Sequence, residues 1–184
     1  MAGNDGRKAR ERLAESLKAA LGTAQDPTDA EYGISEAFAA PERRKLRGTW
    51  LVETHSVSGE DYLEGLKARA VKGLVLRGAR YESSYRFEDA LLVKRARVSG
   101  LVDADDGEEA YLLEMGLVLA WEPAPGGSLR LRPELGYIRT ALDDETVAFR
   151  ELGAEGLSLV SYRFEEGFLV LAEDDDLKRL RRLE

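Results

Sequence analysis

The sequence predicts a mainly β chain, an antiparallel up-and-down barrel preceded by two N-terminal α-helices. Three observations predict it. Before Leu46 apolar residues recur at helical spacing; from Leu74 onward short alternating runs are separated by acidic or glycine-bearing turns; and Gly48-Thr49-Trp50 stands where the two regimes meet. With 184 residues, 43% of them hydrophobic, the chain is long and apolar enough for one packed core. The division that follows is a helical extension over 1–45 and a barrel domain over 46–184, with an open β-sandwich as the structural alternative.

In the extension, Ala9, Leu13, Leu17, Ala20 and Leu21 form the apolar stripe of a helix over Arg7–Leu21, stopped by Gly22. That helix either lies across the barrel or serves as an arm for homodimerisation. Thr28 with Glu31 three residues on spells a capping box, which starts a second helix running to about Ala39. Pro41-Glu42-Arg43-Arg44 fits a further helical turn with proline at its first position.

The first strand covers Arg47 to Val57. Alternation puts Trp50, Val52, Thr54 and Ser56 on one face and Leu51, Glu53, His55 and Val57 on the other, so an inward Trp50 makes His55 a surface residue. The alternative for Glu53 and His55 is a metal-binding or acid–base pair. Tyr62, Leu63, Leu66 and Ala70 then predict a short helix within Gly59–Val71.

Beyond it, Leu74–Glu88 aligns Tyr81, Ser83, Tyr85 and Phe87, and Leu91–Asp103 aligns Ala96, Val98, Gly100 and Val102. Asp105-Asp106-Gly107-Glu108 reads as a hairpin turn, because Asp-Gly supplies positive φ; its carboxylates lack calcium-loop spacing. Ala110–Glu122 carries the largest apolar stripe, Tyr111, Leu113, Met115, Leu117, Leu119 and Trp121. Ser128–Leu142 brings Leu135, Tyr137 and Arg139 to one face, and Thr146–Leu152 offers Val147 and Phe149. Leu157–Phe164, Phe168–Ala172 and Leu177–Leu183 complete the series, the last read as a strand in preference to a short helix.

The spelling Gly48-Thr49-Trp50, with a helical turn before it and a run of strands after, resembles the opening strand of the lipocalin-like (calycin) barrels. The resemblance implies that Gly48 and Trp50 close the bottom of a small ligand-holding barrel, and that a basic residue of the last strand, Arg181 among Arg179, Arg181 and Arg182, packs across the tryptophan. Gly48-Thr49-Trp50 followed by Asp61-Tyr62-Leu63 is also similar to the opening of the intracellular fatty-acid-binding branch. That branch's Arg-x-Tyr carboxylate clamp is missing, as is the Thr-Asp-Tyr motif of classical lipocalins, so the branch stays open.

Several function classes drop out. The formal net charge is −8, and residues 1–45 balance eight basic against eight acidic side chains, so the excess acid falls in the strand region, which repels nucleic acid. No apolar run spans a membrane, and the first residues do not spell a signal peptide. The cytoplasm is the simplest compartment, although a chain trimmed of an export or lipid-anchoring signal would read the same. Without cysteine there is no thiolate chemistry, and no motif names a catalytic residue, a metal site or a cofactor. The expected function is non-enzymatic binding of a small hydrophobic or amphipathic molecule. Its candidate ligand-binding residues are Tyr81, Tyr85, Phe87, Trp121, Tyr137, Arg139, Phe149 and Tyr162, with Arg139 or Arg86 meeting a carboxylate. The alternatives are a protein–protein interaction module, with a filled barrel and a helical docking arm, and a small calycin-type enzyme.

Overall fold

The computed structural model of the chain describes residues 36–69, 76–104, 107–154 and 156–183. Over them run α1 (Glu36–Leu46), β1 (Gly48–Val57), β2 (Glu60–Asp61), α2 (Tyr62–Arg69), β3 (Arg77–Phe87), β4 (Leu91–Ala104), β5 (Gly107–Ala124), β6 (Ser128–Leu142), β7 (Glu145–Leu152), β8 (Ser158–Glu165), β9 (Phe168–Glu173) and β10 (Asp176–Arg182). The helix expected at Arg7–Leu21, most of the one expected at Thr28–Ala39, and the pair Asp105-Asp106 lie outside the described residues.

Strands β1, β3, β4, β5, β6, β8, β9 and β10 pair antiparallel in that order, and β1 pairs back onto β10 to close an eight-stranded barrel. Closure removes the exposed edges an open sheet would leave, so the barrel and not the sandwich is found. One seam is incomplete. The first part of β6, Ser128–Leu131, pairs with β8, whereas Gly136–Leu142 pairs with β7, which lies off the barrel path. Between them stands Pro133, which has no N–H to give a ladder, followed by Glu134, an extra residue that bulges the strand.

Helix α1 corrects one expectation, since it runs straight through Pro41 where a fresh turn was expected to begin. A proline inside a helix forfeits a hydrogen bond and costs roughly 3 kcal/mol. Burial offsets this: Ala39 and Leu46 are wholly buried, and Glu42 accepts a 2.6 Å hydrogen bond from the Tyr162 hydroxyl across the barrel end. Helix α2 starts as its sequence suggests, with the Asp61 carboxylate capping the Leu63 and Glu64 amides at 2.9 and 3.1 Å. The last segment is the strand β10.

The core is one cluster that includes Leu46, Trp50, Phe87, Leu92, Trp121, Leu129, Leu169 and Leu180. Trp50 is 2% exposed and its indole N–H donates to the Leu46 carbonyl at 2.7 Å, so the helix end and the first strand are tied together at the closed end. The residue across its ring is Arg182, not the expected Arg181: the β1–β10 register sets Trp50 opposite Arg182, whose guanidinium lies 5.3 Å from the ring centroid. Arg181 falls on the other phase of β10 and pairs with Glu53 outside. Gly48, with φ of 126°, brings the backbone so near that a Cβ there would meet the Arg182 guanidinium at 3.2 Å.

Candidate functional site

The middle of the barrel holds a cavity of about 190 Å³. Leu92, Leu117, Leu119, Leu129, Leu131, Val160 and Leu171 supply an apolar wall, and Tyr85, Lys94 and Lys178 bring polar atoms into it. The lining runs out through half-buried Pro133 and Ser158 to exposed Glu173, beside the incomplete β6–β8 seam. The broken ladder at Pro133 and Glu134 therefore places the mouth.

Lys94 and Tyr85 face each other across β3 and β4, with the Lys94 nitrogen 5.5 Å from the phenol ring centroid. Among the described residues, neither the Lys94 ammonium nor the Tyr85 hydroxyl has a hydrogen-bond partner, and no carboxylate lies within ion-pair distance of Lys94. Burial, reinforced by the Lys178 charge and opposed by Asp176 and Glu173, pulls Lys94 down to about 8, and burial pushes the Tyr85 phenol well up. The cavity thus contains a cation that can be neutralised at modest cost and a hydroxyl that stays protonated.

Lys178 is different because its charge is already answered. It forms an ion pair with Asp176, whose other oxygen accepts a 2.8 Å hydrogen bond from His55 Nε2. With Nε2 as donor, Nδ1 accepts from the Tyr81 hydroxyl at 3.0 Å, and Tyr62 of α2 stacks on the imidazole at a centroid distance of 4.1 Å. Desolvation, and then Lys178, lowers the His55 pKa, so the ring is held neutral between a phenol and a carboxylate.

His55 is therefore not the surface residue that alternation predicts: it is 8% exposed. The reason is a β-bulge. Val52 pairs with Leu180 and Thr54 with Arg179, leaving Glu53 as an extra residue that reverses the phase of β1 beyond it. Glu53, directed outward to Arg181, does not meet His55, and among the described residues no group of acidic or histidine side chains is arranged to hold a metal.

The candidate binding residues divide into three groups. Tyr85 lines the cavity, whereas Tyr81 lies outside its lining and hydrogen-bonds His55. Phe87, Trp121 and Tyr162 are buried at the closed end, where Phe87 and Trp121 meet edge to face at 5.0 Å and the Trp121 N–H donates to the Glu88 carbonyl. Tyr137, Arg139 and Phe149 were expected to face inward, and the register reverses that. Inward Leu117 and Leu119 pair with Gly136 and Pro133, so the Glu134 bulge carries Tyr137 and Arg139 to the opposite face, with Phe149 opposite Arg139. There Tyr137 stacks on Phe149 at 5.9 Å, Arg139 donates to Thr146 at 2.9 Å, and Glu114 accepts from both Tyr137 and Arg139. Arg86 is likewise spent, paired with Glu88 at 2.7 Å on the exposed side.

Lys94 and Lys178 were missed by sequence reasoning, although Lys94 carried a signal. It continues the phase of Ala96, Val98, Gly100 and Val102, which makes it a charge on an inward face. The architecture and cavity define an eight-stranded antiparallel barrel consistent with the lipocalin-like fold. The chain matches no family model, no curated protein and no solved structure at a significant level.

Proposed function

We propose that the chain is a divergent lipocalin-like binding protein whose barrel takes up one small amphipathic anion, without catalysis. The observation that carries this reading is the Lys94 ammonium, which lies 5.5 Å from the Tyr85 ring centroid and has no carboxylate partner among the described residues, in a largely apolar cavity. A half-buried charge with no counter-ion is costly, and a ligand carboxylate would neutralise it while the Tyr85 hydroxyl donates a second hydrogen bond. Leu117, Leu119, Val160 and Leu171 would cover the apolar part. Gly48, Trp50 and Arg182 at the closed end, and a helix after the first strand, support the family reading.

Size narrows the ligand. A dry cavity of roughly 150 Å³ takes a benzene-sized molecule, and drug-sized ligands need roughly 300 Å³ or more. At about 190 Å³ the space suits one ring or a short chain bearing a carboxylate, not an extended fatty acid. The presence of this cavity also favours a binding protein over an interaction module with a filled barrel.

Calorimetric titration with benzoate and its neutral isostere benzamide tests the reading. Benzoate should bind one per chain, and Lys94→Met should weaken it by about 1.5–3 kcal/mol, the range for hydrogen bonds to charged groups, while benzamide binds both proteins equally. Equal benzoate affinity in the two proteins would remove Lys94 from the site.

A further inference from the structure

We propose that Lys94 is also a covalent carbonyl-capture site, forming a reversible imine with a small apolar aldehyde that enters the barrel cavity. The inference rests on the reading that this cavity accepts a small molecule, but not on that molecule being an anion.

The geometry selects Lys94 over the other lysine in the cavity. Lys178 is tied to Asp176 in an ion pair, so its nitrogen is already engaged. Lys94 has no ion pair of this kind: its Nζ lies over the Tyr85 ring, and the wall is mostly leucine and valine, so desolvation and the Lys178 charge favour the free amine over the opposing pull of Asp176 and Glu173. A surface lysine titrates near 10.5, whereas Lys94 titrates at about 8, so a much larger fraction of it is nucleophilic near neutral pH.

The step balances with nothing beyond the aldehyde and water. The Lys94 Nζ lone pair forms the C–N bond while the carbonyl π pair moves onto oxygen, which takes a proton; nitrogen gives up a proton, and the result is a carbinolamine. The oxygen then leaves as water after a second protonation, as the nitrogen lone pair forms C=N. One aldehyde, one amine and one proton yield one iminium and one water. Tyr85, opposite Lys94 in the register and with a hydroxyl that has no partner among the described residues, is placed to donate a hydrogen bond to the carbonyl oxygen. Its raised pKa keeps that proton on the phenol near neutral pH. The apolar wall limits the access of water that would reverse the reaction.

The test is reductive trapping on the full chain. The protein is incubated with benzaldehyde and sodium cyanoborohydride, and the product is read by intact mass and peptide mapping, with a parallel benzoate titration. One benzyl group should appear on Lys94 at least ~10-fold faster than on Lys178, Lys45 or Lys67, a conservative fraction of the advantage its lowered pKa confers. Benzoate should compete with the labelling. Lys94→Arg should lose the adduct at this position while Lys45 and Lys67 label as before, whereas Lys178→Arg should keep Lys94 labelling. Benzoate binding without preferential labelling of Lys94 would overturn the imine alone. Neither benzoate binding nor preferential labelling would overturn the cavity reading as well. Mapping of the unmodified wild-type chain decides the matter even where a variant fails to fold.

Discussion

Replacing Lys94 by methionine exchanges the ammonium for a flexible apolar stem and separates what the residue does for stability from what it does for binding. Its folded pKa, about 8, lies below the ordinary 10.5, so the folded state binds protons less readily than the unfolded one. Stability linked to this group is present above 10.5 and lost as pH falls through 8, which means the wild-type chain carries the penalty at neutral pH. One pKa unit is about 1.4 kcal/mol, and partial solvent access reduces the total, so Lys94→Met should stabilise the ligand-free chain by roughly 1–2 kcal/mol at pH 7. Urea melts should show that gain shrinking as pH rises from 8 to 10.5. A variant less stable than wild type at pH 7 would mean that Lys94 is well solvated or already paired. Lys94 was visible in principle, as a charge in phase with Val98 and Val102. Its lack of a partner was not, because that depends on which residues of β9 and β10 arrive beside it.

Among the elements, β1 carries the clearest failure of the sequence reading. Trp50 is buried at the start of the strand, and Trp50→Ala, which empties a 2% exposed site beside Phe164 and Leu46, should cost roughly 3–5 kcal/mol in chemical denaturation. A loss under about 1 kcal/mol would show a solvated residue. Five residues later the same strand misled, because period-two alternation has no memory of an inserted residue. Neither Glu53 in β1 nor Glu134 in β6 advertises its bulge: each is a plausible outward residue in an unbroken strand. The first slip hid His55 and its pairing with Asp176; the second sent Tyr137 and Arg139 to the outer face. Deleting Glu53 should therefore restore plain alternation and leave His55 opposite Lys178, still titrating below its ordinary value. NMR titration of this single histidine checks it, and a return to about 6.5 would show that the bulge itself positions the ring.

At the scale of the whole molecule, the barrel is packed at one end and hollow in the middle, and the two halves answer to different sequence signals. Large aromatic residues on the inward phase mark the packed end, while the hollow is lined by leucines and valines that look like any core. Only the assembled barrel reveals that they leave space. Val160→Phe, which adds a ring to the wall of a cavity of about 190 Å³, should preserve the β circular dichroism and abolish benzoate uptake. Uptake unchanged by that ring would place the ligand elsewhere. The most direct measurement is a ¹³C NMR titration of the Lys94 side chain with and without benzoate. An anion seated against the ammonium must raise its pKa by linkage, so Lys94 should titrate at about 8 alone and clearly higher with benzoate bound. A Lys94 that titrates near 10.5 in the free protein, or that benzoate leaves unmoved, would contradict an anion-binding barrel.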